Sequence, residues 1–111
     1  MITFVSSSQR DRDVFNVLNV ALETGPPVQD RENLRTYLSL CSKMGEISKE
    51  VTKEENGTRK HEKILIDGDH ELELTNSEVE FLVMSLDSLL QRAPRTWLNI
   101  INAAYSLLEE K

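Results

Sequence analysis

The sequence predicts a mainly helical α+β fold: two N-terminal helices, a β-hairpin with an N-terminal strand available to join it, and two C-terminal helices. Three observations carry that expectation. Apolar residues recur at steps of three and four in four separate segments. Capping residues stand where those segments begin. Between the second and third segments, aliphatics alternate on either side of a single glycine, Gly68. A chain of 111 residues fits one domain, residues 1–111, and can bury a core without a metal or disulfide.

The N-terminal "MITFV" alternates Ile2 and Phe4 with Thr3 and Val5, as a short strand does. Ser8 is a helix N-cap, with Asp11 three residues on and more acid at Asp13 to complement the helix dipole. Helix 1 is expected over Gln9–Glu23, burying Val14, Phe15, Val17, Leu18, Ala21 and Leu22. Gly25 in the left-handed position and the Pro26-Pro27 pair end it. Asp30 caps helix 2, whose stripe runs Leu34, Tyr37, Leu38, Cys41, Met44, Ile47 and Val51. On that spacing the helix lasts about five turns and frays in "KEENG". Gly45 lies in its interior at a cost of roughly 0.5–1 kcal/mol relative to Ala. "TRKHEK" then reads as a solvated basic loop.

Ile64 and Ile66 on one side of Gly68, and Leu72 and Leu74 on the other, suggest the hairpin. A two-residue Asp67-Gly68 loop turns the isoleucines away from the leucines; an odd-length loop, the three residues Asp67–Asp69 or five, puts all four on one face. Thr75 and Glu78 form a capping box opening helix 3, with Val79, Leu82, Val83, Leu86, Leu89 and Leu90 inward. Pro94 opens helix 4, in which Trp97, Leu98, Ile100, Ile101, Ala104, Tyr105, Leu107 and Leu108 make a wide apolar arc running to the C-terminus. Such an arc calls for cover on more than one side. The helix pairs are expected to pack as antiparallel hairpins.

The formal charge is −6 and the pI near 4.9, which disfavours phosphate-backbone binding and argues against a nucleic-acid partner. Acids are concentrated from Asp67 to Asp87, where no Lys or Arg intervenes. Cys41 is the only cysteine, so no intrachain disulfide forms, and its mid-helix position suits a small hydrophobe better than a thiolate. The N-terminus lacks a secretory signal pattern and no apolar run has the length of a membrane span, so a cytoplasmic location without a membrane partner is expected. On the same footing the Asn56-Gly57-Thr58 sequon is expected to be idle.

Chemical signatures are sparse. "DGDHELELTNSE" resembles a calcium loop only in its spaced acids, with its glycine second rather than sixth. His61, His70 and Cys41 do not fall at zinc spacing, and no phosphate loop or nucleophile elbow occurs. No catalytic residue, metal ligand or cofactor is assigned.

The expected function is therefore a small, acidic, non-catalytic protein-interaction module: a regulator, inhibitor or assembly adaptor that acts as a homo-oligomer. Its partner would be a protein with a basic surface, met by Glu71, Glu73, Glu78 and Glu80. A second reading is a module holding a small molecule or anionic ligand between helices or subunits, contacted by Tyr37, Arg92, Arg95 and Trp97. In it Arg92 and Arg95 flank Pro94 at a helix N-terminus, where anions bind well. A third reading is an acidic imitation of nucleic acid, for which −6 is a modest charge.

Overall fold

The computed structural model describes residues 1–109. The order is β1 (Ile2–Val5), α1 (Gln9–Thr24), α2 (Arg31–Glu46), β2 (Ser48–Glu55), β3 (Thr58–Leu65), β4 (Asp69–Leu72), α3 (Asn76–Leu90), a 3₁₀ turn (Arg95–Trp97) and α4 (Leu98–Glu109). The fold is mainly helical α+β, with four helices and two antiparallel two-stranded sheets. The expected run of helix 4 to Lys111 lies outside the described residues. Among those described, no helix is long and apolar enough to cross a membrane.

Two helices follow their sequence signals closely. Ser8 Oγ accepts from the Asp11 N–H at 3.3 Å, and all six expected α1 residues are buried. The Thr75–Glu78 capping box opens α3, in which Leu82, Leu86 and Leu89 are buried. Val79 and Val83 are half-buried, and Leu90 is exposed; Phe81 and Ser85 take the remaining inward positions. Gly25 is not left-handed but extended, at φ −70° and ψ −179°. Its requirement is proximity: a Cβ there would sit 2.9 Å from the Ala21 carbonyl oxygen and 3.2 Å from Ser85 Oγ.

α3 lies at the centre, against α1, α2 and α4, and α1 also packs on α4. The expected α1–α2 helical hairpin does not form. After Gly25-Pro26-Pro27 the chain carries α2 to the flank of α3, where Leu40 and Met44 are buried and Tyr37 meets the Phe81 ring at 6.0 Å. α4 buries Ile101, Ala104 and Leu108, and its half-buried Ile100, Ala103, Tyr105 and Leu107 join the same core. Most of its wide arc is thus covered by its own chain.

The middle of the chain departs from expectation. α2 stops at Glu46, and residues 48–65 form a β-ribbon in place of a helix end and a basic loop. Asn56 and Gly57 take φ 52° and 76°, the two positive values of a type I′ turn, and Ser48–Glu55 pairs with Thr58–Leu65. β-branched Ile47, Val51 and Thr52 suit a strand, and the weak helix former Gly45 stands in the last turn of α2. The expected hairpin around Gly68 is therefore absent. Its first half belongs to β3, and β4 pairs with the N-terminal strand: Ile2 with Leu72, Phe4 with His70. Leu65, not Ile64, is buried, so Ile64 and Ile66 do not share a core face with Leu72 and Leu74.

Candidate functional site

The stretch from Asp67 to Glu80 contains the expected partner surface, and the structure divides its carboxylates into two kinds. Glu78 is only 2% exposed. Its Oε1 accepts from the Thr75 N–H at 2.9 Å and from Lys43 Nζ at 2.5 Å, and its Oε2 accepts from Ser39 Oγ at 3.0 Å. Burial by itself raises its pKa. The hydrogen bonds from Lys43, the Thr75 backbone and Ser39 outweigh that, and the carboxyl is held below its ordinary range. Lys43 also donates to the Glu73 carbonyl oxygen at 2.8 Å, fastening α2 to the β4–α3 joint. Glu78 thus cannot meet a partner: the capping box that opens α3 also withdraws its side chain.

Glu71, Glu73 and Glu80 are exposed, on β4, on the joint and on the solvent side of α3. None has an ion-pair partner among the described residues. The turn around Gly68 is tied to the N-terminal loop through its backbone. The Gly68 N–H donates to Ser6 Oγ at 2.8 Å, and the Ser6 N–H donates back to the Gly68 carbonyl at 3.0 Å, closing this turn onto the β1–α1 loop. His70 Nε2 lies 2.7 Å from the Ile66 carbonyl oxygen.

The four residues of the ligand reading serve separate parts of the fold. Tyr37 packs on Phe81, and its phenol is held above its ordinary range, first by its contact with the Cys41 thiol and then by burial and Glu23. Arg92 Nη2 donates to the Thr24 carbonyl at 2.6 Å and its Nε to the Ser88 carbonyl at 3.3 Å, tying the end of α1 to the end of α3. Arg95 is exposed on the 3₁₀ turn, and Trp97 lies half-buried on the core. Arg92 already binds backbone carbonyls, so the expected anion site between it and Arg95 is not assembled.

Two features escaped the sequence reading. A cleft of about 430 Å³ lies between α1 and α4, with Arg10, Asp13, Asn99, Asn102 and Ser106 around a floor that includes Ile100. The other is the β2–β3 ribbon, exposed along both strands except at Ser48, Val51 and Leu65. Its charges pair across the strands: Lys53 with Glu62 and Arg59 with Glu54, both at 3.3 Å, and Lys60 with Glu55 at 4.0 Å. The Asn56-Gly57 pair was the available signal, masked because its flanks alternate charge with charge rather than apolar with polar. Among the described residues, no group of three His, Cys, Asp or Glu side chains gathers as metal ligands. No family model, no curated protein and no solved structure matches this chain.

Proposed function

We propose that the chain is a small non-catalytic protein-interaction module, a regulator, inhibitor or assembly adaptor, that acts as a homo-oligomer and docks on a basic surface of another protein. The observation that carries this reading is the contrast in charge pairing. Glu54, Glu55 and Glu62 of the ribbon have cations across the strand, whereas Glu71, Glu73 and Glu80 are exposed and without an ion-pair partner among the described residues. Unpaired charge of one sign steers association with an oppositely charged surface and gives it a salt dependence. The test is capture of partner proteins by the wild type and by a Glu71→Lys, Glu73→Lys, Glu80→Lys triple variant, at low and raised salt. The expected result is a partner held by the wild type, weakened by salt, and lost by the variant. Equal capture by both removes the acidic surface from the reading.

The α1–α4 cleft supports a second reading, a small-molecule site. Its volume falls within the range of ligand pockets, and polar side chains ring a partly apolar floor. A thermal-shift screen with nucleotides and inorganic phosphate tests it; an Asn102→Leu variant should abolish any shift that arises in this cleft.

A further inference from the structure

α2 has two apolar stripes, and its own chain uses one. Tyr37, Leu40, Met44 and Ile47, at steps of three, four and three, face α3 and the core. Leu34, Leu38, Cys41 and Gly45, at steps of four, three and four, form a second stripe turned about a third of the way round the helix. Leu34 is 45% and Leu38 56% exposed, which leaves two leucines in water on consecutive turns. This is the spacing of a coiled-coil seam. Gly45 fits no need of the chain: a Cβ built there meets no atom within 4 Å, so Ala would be accommodated and would favour the helix. Arg31, Arg35 and Glu46 flank the seam, exposed and without an ion-pair partner among the described residues.

We propose that this seam is the contact between two copies of the chain, with the two α2 helices packed antiparallel about a two-fold axis. In that arrangement the seam layers match Leu38 with the partner's Cys41, and Leu34 with the partner's Gly45. The missing side chain at Gly45 makes room for the leucine. The same register sets Glu46 between the partner's Arg31 and the partner's Arg35, one helical turn apart, and the two-fold repeats the cluster at the other end. Antiparallel helix dipoles also attract. A parallel pairing would set glycine against glycine and arginine against arginine, leaving a void at one end and repulsion at the other. The charges at the two ends of α2 therefore select a second copy, in one orientation.

This inference rests on the homo-oligomer part of the proposed function and is independent of the acidic surface. Sedimentation equilibrium over the micromolar range is the measurement, with circular dichroism to confirm folding. The wild type is expected to reach dimer mass. Leu38→Glu, at a position exposed in the monomer, should fold and weaken the dimer by about a hundredfold or more, and Gly45→Leu should do so by blocking the layer. Glu46→Arg should weaken it about tenfold, and Arg31→Glu with Arg35→Glu added should restore it. The Glu71, Glu73, Glu80 charge reversal should leave the mass unchanged. A wild type that stays monomeric overturns the proposal, even if it captures a partner through the acidic surface. A dimer indifferent to Leu38→Glu assigns the contact to another face and overturns it too. So does a monomer that loses a foreign protein on Leu38→Glu, since the seam would then belong to that protein.

Discussion

The two sheets of this molecule have the same number of strands and opposite means of support. β1 and β4 are four residues each and come from opposite parts of the chain, yet Ile2, Phe4 and Leu72 are almost wholly buried. Phe4 meets Phe15 of α1 edge-on at 5.5 Å. β2 and β3 are eight residues each, joined by a two-residue turn, and only Leu65 is buried. The short sheet is a product of the core: remove the packing and nothing local brings its strands together. The long ribbon is a product of its turn and cross-strand pairs, and a hairpin of this kind is marginal without further cover. The body is therefore expected to unfold as one unit, and the ribbon to open separately at lower cost.

The most damaging change for that contrast is Phe4→Ala. It deletes a fully buried aromatic and its edge-on contact, and should cost about 3–5 kcal/mol of global stability, read from the urea midpoint. A loss below about 1 kcal/mol would mean that the short sheet is not held by the core.

The half-buried Lys43–Glu78 pair adds a pH dependence to the body. Glu78's folded pKa lies below its ordinary value of 4.5, so the carboxylate contributes stability that is complete above that value. The contribution is lost as pH falls through the folded value. Glu78→Gln should cost about 1–3 kcal/mol at neutral pH, the discount reflecting a Lys43 side chain one-third exposed. The variant should also flatten the acid limb of the stability curve below pH 4.5, while ribbon amide exchange stays unchanged. An acid limb identical to the wild type's would show that other carboxylates govern it.

The same contrast explains what was legible in the sequence. α1 and α3 were legible because cap and period agree: Ser8 with the Val14–Leu22 stripe, Thr75 and Glu78 with Leu82, Leu86 and Leu89. The end of α2 was not, because Ile47 and Val51 continue a three-to-four spacing while also suiting a strand. The partner of β4 was hidden because pairing across more than sixty residues leaves no local mark, and the parity around Gly68 mimicked a hairpin. In the candidate surface, exposure of Glu71, Glu73 and Glu80 followed from the alternation and helical phase. Withdrawal of Glu78 depended on Lys43 and Ser39, on a helix whose docking face was not evident. The inward face of α2 is hidden for the same reason: Leu34 and Leu38 fit the stripe as well as Leu40, and only packing on α3 decides between them.

Gly57→Ala moves to the ribbon alone. At φ 76° an L side chain costs about 1–2 kcal/mol, and nothing else lies near the position, so strain is the whole effect. Amide exchange along β2 and β3 should speed up by about tenfold or more, with the global urea midpoint nearly unchanged. A matching fall in the midpoint would join the ribbon to the cooperative body.

The finest test concerns the one cross-strand position where the ribbon works against itself. Lys53 stands directly opposite Lys60, like charge against like, while each reaches diagonally for a carboxylate: Lys53 for Glu62 at 3.3 Å, Lys60 for Glu55 at 4.0 Å. Lys60→Glu turns the direct repulsion into attraction and the longer diagonal attraction to Glu55 into a weaker repulsion. Both side chains are well exposed, so the gain should be only about 0.2–0.5 kcal/mol, seen as slower amide exchange confined to the ribbon and erased by salt. If the substitution speeds exchange instead, the diagonal Lys60–Glu55 contact outweighs the direct pairing. The ribbon would then owe its register to its turn, with its charges only tolerated.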